Sequence, residues 1–405
     1  MARLLHLTSV HLTSAAWLVA MAVVPGAGAV EGSGEAPLEA ADEAAIAALF
    51  AQPASDPAGA SGASGVKFDT AWILDVAAAA FTEPEPRQVG GHDPAANGFT
   101  LQQLELSLGG SIDPSFRFDG NLVFSLFGVE VEEAFATTTE LPGGLQLRAG
   151  QFLTRFGRVN PTHPHAWSFV DQSLIIGKTF GGEGGRGLGL EASWLAPLPW
   201  YGLLTMSTQQ AAGDCCSRSM AEAVSLDLSS PADLISTVRL EQFADLTDQL
   251  GLSLGLSAQS GANGTGFGNR SDIFGVDLYL RRRDPADQLR RATSVTVEAI
   301  ARRRQLPGRL LEDAGLLAQV VQGWSPHWES GARFESFTGV DQDPADPDWV
   351  SARTRTTLQA TYFPSHFSRL RLQGSYDTPG GDGPEIAAVM LALELVGGDH
   401  GSHGY

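Results

Sequence analysis

Lysine is nearly missing: the 405-residue chain has 2 Lys against 24 Arg, and its 46 acidic residues leave a formal charge of -20. A surface so acidic repels polyphosphate, which excludes nucleic acid as a partner. Cysteine is confined to the adjacent pair Cys215 and Cys216, so no disulfide framework braces the fold. Because a ring closed between neighbours is tight, two thiols in a loop are the expected state, with a vicinal disulfide as the alternative. No segment offers about 20 uninterrupted apolar residues, which excludes helical membrane spans. The G-x-S-x-G string Gly251–Gly255 lies within an alternating strand-like segment and not on a strand-to-helix elbow, and there is no H-E-x-x-H helix and no defensible Asp, Ser and His arrangement. No catalytic residue or cofactor is therefore assigned, and the chain is not read as an enzyme.

What is present begins with an export signal. Residues 1–29 carry one early Arg, an apolar run from Ala15 to Val24, and the small residues Ala27 and Ala29 before a cut. Residues 30–65 form a periplasmic leader and linker: "EAPLEAADEAAIAALFAQ" suits one helix ending before Pro53, or a disordered segment, and "ASDPAGASGASG" reads as linker.

From Val66 to Tyr405 the hydrophobic period is two. In "LQLRAGQ", Leu145, Leu147 and Ala149 face one way and Gln146, Arg148 and Gly150 the other. The same split recurs in about 16 segments of roughly ten residues, bounded by Gly, Pro, Asp or Asn. A soluble sandwich also alternates, so the turns decide. Connections after even segments are short, such as "DPS", "SPH" and the seven-residue "DPADQLR"; those after odd segments include nearly all the long ones, with "FG" and "RQLPGRLLE" as exceptions. Short turns on one rim and long loops on the other predict an all-β protein, a transmembrane antiparallel β-barrel of the bacterial outer membrane. Aromatics agree: Phe116, Trp194, Trp200, Tyr201, Phe243, Trp324, Trp328, Tyr362, Phe363 and Phe367 flank the short turns, at headgroup height.

The third long-rim loop, residues 154–186, is the longest, and a barrel this wide is not filled by wall side chains alone. An inward-folded loop would narrow it, with Arg155, Arg158, His163, His165, Asp171 and Lys178 as constriction residues and a fixed field selecting small ions or polar solutes. His163 and His165, one residue apart, point the same way in extended chain and with Asp171 could ligate zinc; local hydrogen bonding is the plainer account, and no metal is assigned. The tail histidines His400 and His403 pose the same choice. By parity, Glu105, Asp119, Glu130 and Glu132 line one wall, Arg148 lines the fifth strand, and Arg353, Arg355, Arg369 and Arg371 line another wall about a quarter turn away. Solute would then cross a transverse field, unless each Arg simply pairs with a neighbouring acid. The Arg302 to Arg304 run with Arg309 reaches the long-loop rim, where it would meet lipopolysaccharide phosphates or be solvated.

The stretches "LQQLELSLGGSIDPSFRFDGNLVFS", "VEVEEAFATT", "PGGLQLRAGQFLTRFGRVNPTHPHAWSFVD" and "GGEGGRGLGLEASWLAPLPW" resemble a group of porin-like outer-membrane proteins. That group is similar in style to phosphate-selective porins, and its members are often labelled zinc-regulated TonB-dependent outer membrane receptors. The resemblance spans most of residues 66–396 and implies a barrel, with the inward third loop of porins; the chain is read as a passive channel, with a homotrimer as a candidate assembly. It also raises an uptake receptor linked to zinc, although the 36 residues before the barrel are too few for a TonB-dependent plug. A binding or adhesion barrel is the remaining alternative.

Overall fold

The computed structural model describes residues 69–125, 128–220, 230–284, 287–344, 349–380 and 383–398. The signal, the leader and the tail histidines lie outside them. Sixteen strands follow in order: β1 Asp69–Phe81, β2 Gly98–Asp113, β3 Phe116–Ser125, β4 Gly128–Thr138, β5 Leu145–Leu153, β6 Arg186–Leu195, β7 Tyr201–Gln209, β8 Ile235–Thr247, β9 Leu250–Ala262, β10 Arg270–Asp284, β11 Asp287–Leu306, β12 Arg309–Ser325, β13 Trp328–Phe337, β14 Arg353–Ser365, β15 Ser368–Pro379 and β16 Ile386–Gly398. Each pairs antiparallel with its neighbours, and β1 pairs with β16, so the sheet closes and leaves no edge.

The alternation does what period two requires. In β16, Ala388, Met390, Ala392 and Glu394 are buried inside, while Val389, Leu391, Leu393 and Leu395 are exposed outside. An outer surface this apolar has hydrocarbon as its matching solvent. Trp324, Trp328, Tyr362 and Phe367 stand outside beside the short turns, with the Trp328 and Tyr362 rings 4.8 Å apart. Phe363 departs from that band: it is buried, next to an irregularity in the β14–β15 register.

Connections after even strands span two to six residues, and the 154–185 loop is the longest of the others. Two ladders run further than the sequence suggests. The expected seven-residue turn at 284–290 shrinks as Asp284 pairs with Asp287, and the "RQLPGRLLE" connection becomes a tight hairpin at Pro307 and Gly308, where Leu306 pairs with Arg309. Once a ladder is registered, each added pair contributes hydrogen bonds at little further entropic cost, so β11 grows to 20 residues.

Candidate functional site

The third loop, 154–185, lies inside the barrel, because its side chains pack on the inward faces of distant strands. Phe156, Ile175, Ile176 and Phe180 join Ile235 of β8, Ile273 of β10, Ile300 of β11, Leu317 of β12 and Phe337 of β13 in one apolar cluster. Inward glycines make the seats. A Cβ added at Gly275 would stand 2.6 Å from the Phe156 ring, and one at Gly315 would stand 2.7 Å from Ile175. The loop's short helix α1, Leu174–Phe180, starts against the wall: Glu335 Oε1 accepts from the Leu174 N–H at 2.7 Å and the Ser173 hydroxyl at 2.6 Å. A carboxylate there also suits the positive end of the helix. Further back, Glu298 of β11 accepts from the Arg158 and Val159 N–H groups at 2.9 and 3.0 Å.

At one end of the strap, histidines meet acids. His163 Nδ1 lies 3.1 Å from Glu132 and its Nε2 2.9 Å from Glu133, while His165 Nδ1 lies 3.0 Å from Glu105. The two rings stack 5.5 Å apart. Donating from both ring nitrogens requires the imidazolium. Burial opposes that charge, but the two carboxylates outweigh it and hold His163 well above the ordinary histidine range. Glu132 and Glu133 both turn inward because the β3–β4 register slips between Asn121 and Leu122, the mark of a β-bulge.

At the other end the roles are exchanged. Asp171 accepts from Arg333 of β13 at 2.6 Å, Arg355 of β14 at 2.8 Å and Gln373 of β15 at 2.7 Å. Its burial favours the neutral acid, yet the two guanidiniums hold it below the usual carboxylate range. Backbone carbonyls add to this: Trp167 accepts from Arg369 and Arg371, and Phe169 from Arg371. A second inward loop reinforces the strap. In the β1–β2 connection, His92 lies 3.0 Å from Glu183, and the Gly91 N–H donates to the Gly182 carbonyl at 2.9 Å. Burial opposes protonation of His92 too, but Glu183 raises it to about 9.

No protein-family model matches the chain. An uncharacterized protein of Aquifex aeolicus is 30% identical over 322 residues, 70% of this chain and 65% of its own, so the chain spans just under two thirds of that relative. Among solved structures, the outer membrane channel DcaP of Acinetobacter baumannii aligns with a TM-score of 0.58 at 13% identity, over 84% of this chain and all of that one. OmpF of Salmonella typhi, in complex with daunomycin, gives 0.51 at 12%, over 82% and 98%. A loop-deletion form of OmpT, an outer membrane protein of Vibrio cholerae, gives 0.51 at 8%, over 82% and 99%. The fold is that of the outer-membrane porin barrels. At such identities the likeness speaks for fold alone.

Within this porin-type barrel, every candidate constriction residue has a partner. Arg155 reaches Glu191 at 3.5 Å and Ser193 at 3.3 Å, and the Arg158 guanidinium sits 3.5 Å from the Tyr279 ring centroid. Lys178, fully buried, lies 4.0 Å from Asp343 and 4.9 Å from the Trp349 ring. The lining residues are paired as well. Arg117 with Asp119, Arg148 with Glu191, Arg186 with Glu130, Arg353 and Arg355 with Asp377, and Arg369 and Arg371 with Glu394 all form ion pairs. The Arg wall thus carries its own acids.

Three expectations are corrected. Asp171 is absent from the histidine cluster, because arginines of β13 and β14 claim it; the acids beside His163 are Glu105, Glu132 and Glu133. Arg302 and Arg304 do not face the outer rim: both are buried against Asp343, Arg302 also against Asp313, and only Arg303 and Arg309 stay exposed. Cys215 and Cys216 are bonded to each other rather than free, in the short helix α2, Asp214–Ser217. Adjacency keeps the sulfurs together whatever the loop does, and exported chains meet an oxidising compartment. Residues that sequence reasoning missed are Glu133, Glu191, Glu298, Arg333, Glu335 and Asp377. Parity extended to β6, β11, β13 and β15 finds all but Glu133, which the bulge moves.

Proposed function

We propose that the protein is a porin-like channel of the bacterial outer membrane, passing small ions or polar solutes by passive diffusion, with the third loop as its constriction. One observation carries this reading: the 154–185 strap is bound inside a closed barrel, from the acids of β2 and β4 across to the arginines of β13 and β14. A strap so held would narrow the lumen. Because its charges are paired, the residual field comes from partly open pairs such as Arg117 with Asp119. A homotrimer is the assembly the porin likeness suggests, and cross-linking in detergent counts its protomers.

Planar-bilayer recording of the refolded barrel tests the channel. Stepwise currents are expected, with conductance rising at least severalfold when Asp171→Ala frees one end of the strap. A silent membrane with folded protein defeats the channel reading and favours an uptake receptor or adhesion barrel.

A further inference from the structure

Three carboxylates crowd the histidine end of the strap, and one of them keeps a buried oxygen without a hydrogen-bond partner. Glu105, Glu132 and Glu133 are all buried and bond His163 and His165 directly, with Arg186 and His92 acting on Glu132 and Arg148 on Glu133 from further off. A buried uncompensated carboxylate is costly, so a cation is wanted there. Glu105 shows where: Oε2 engages His165, while Oε1, on a side chain with no exposed surface, has no hydrogen-bond partner. One ligand atom from each of Glu105, Glu132 and His163 lies within 4.8 Å of the others. Tetrahedral ligands at about 2.1 Å from a small divalent ion stand about 3.4 Å apart, a contraction that carboxylate rotation supplies.

The surroundings of His163 are arranged as they are around metal-bound imidazoles. Glu133 takes its Nε2 hydrogen and is itself fixed by the Leu153 N–H at 2.6 Å, which leaves Nδ1 directed at Glu132. A carboxylate behind the ring sets its orientation and raises its basicity as a ligand. Beside it lies a cavity of about 20 Å³, lined by Glu132 and by Thr162 and Pro164 on either side of His163, large enough for one water.

We propose a divalent transition-metal site formed by His163 Nδ1, Glu132 and Glu105, with Glu133 as positioning residue and a water from the cavity in the fourth place. A mixed nitrogen and oxygen set suits zinc and its first-row neighbours rather than calcium. The ion would fasten the strap to β2 and β4. It does so whether or not the barrel conducts.

Zinc and cobalt(II) are the probes, on chelator-washed full-length barrel carrying His400→Ala and His403→Ala so that the tail contributes no imidazole. Calorimetry should give one zinc equivalent. Cobalt should give the intense visible bands of a four- or five-coordinate site. Glu105→Gln and His163→Ala should each weaken zinc binding 100-fold or more, and Glu133→Gln on the order of 10- to 100-fold. Heat-dependent gel mobility checks that each barrel is folded. If His163→Ala does not fold, the isosteric Glu105→Gln decides. No zinc uptake by the folded parent, a cobalt spectrum as weak as the aqua ion, or uptake indifferent to Glu105→Gln overturns the site and leaves a plain carboxylate and imidazolium lock.

Discussion

At His163 the third loop brings the cations and the wall brings the carboxylates; eight residues on, at Asp171, the loop brings the carboxylate and the wall the guanidiniums. Both ends are buried and multiply bonded, yet a shift or reversal of the strap would set like charges against each other. Mismatched buried charges cost several kcal/mol, so the polarity reversal selects one seating from the many an apolar loop would tolerate. The apolar residues that flank them, Phe156 before His163 and Ile175, Ile176 and Phe180 after Asp171, supply adhesion and have little say over register.

The strongest way to break the symmetry is Asp171→Ala, which strips a shared acceptor from Arg333 and Arg355. Breaking a buried pair of this kind costs on the order of 3–5 kcal/mol, and urea unfolding of the detergent-solubilised barrel should register it. A change below about 1 kcal/mol would mean that the arginine end holds nothing. His163→Gln tests the opposite end. It keeps one hydrogen bond and loses the charge, for an expected loss of about 1.5–3 kcal/mol, with amide exchange rising in residues 160–167 but not around Asp171. Equal rises at both ends would show that the strap comes off as one unit.

The apolar flank is challenged by Gly275→Leu, which drives a side chain into the Phe156 seat. Overpacking costs about 1–3 kcal/mol, and faster collisional quenching of a probe at position 156 should reveal the displaced ring. A smaller effect is expected from pH. His92 gains its proton affinity from Glu183, so its contribution is complete below about pH 6.5 and fades as pH rises through about 9. Exchange at Gly91 and Gly182 should accelerate over that window, and His92→Gln should remove the dependence. The smallest effect belongs to Cys215 and Cys216. Joining neighbours restrains almost no unfolded chain, against about 3 kcal/mol for a 15-residue loop, so reduction should leave the unfolding midpoint unmoved.

Much of this barrel was legible because lipid on one side and water or protein on the other force a strict period of two, and because Gly, Pro and Asp mark the turns. The inward direction of Glu105, Arg148, Arg355 and Arg371 follows from that period alone. Glu133 did not follow, since one extra residue in β4 puts two neighbours on the same face. Nor did the partners of Asp171: proximity to β13 and β14 arises only when the sheet closes, 162 and 184 residues along the chain. Helix α1 escaped notice because seven residues make barely two turns of a pattern whose outer side is also buried. The bond between Cys215 and Cys216 does not follow from ring tightness, because adjacency holds the two sulfurs together.

The places where the strap is fastened dictate an order of assembly. Only its histidine contacts with β2 and β4 can form early; its other anchors lie on β9, β11, β13, β14 and β15, all of which follow it in the chain, so the segment cannot settle fully when its own hairpin of β5 and β6 forms. Long-range closure must come first, and its entropy is spent before any of these contacts reward it. A biogenesis intermediate stalled before β13 and β14 join the sheet therefore holds the 154–185 segment by its histidine end alone, with Asp171 open to proteases and to water.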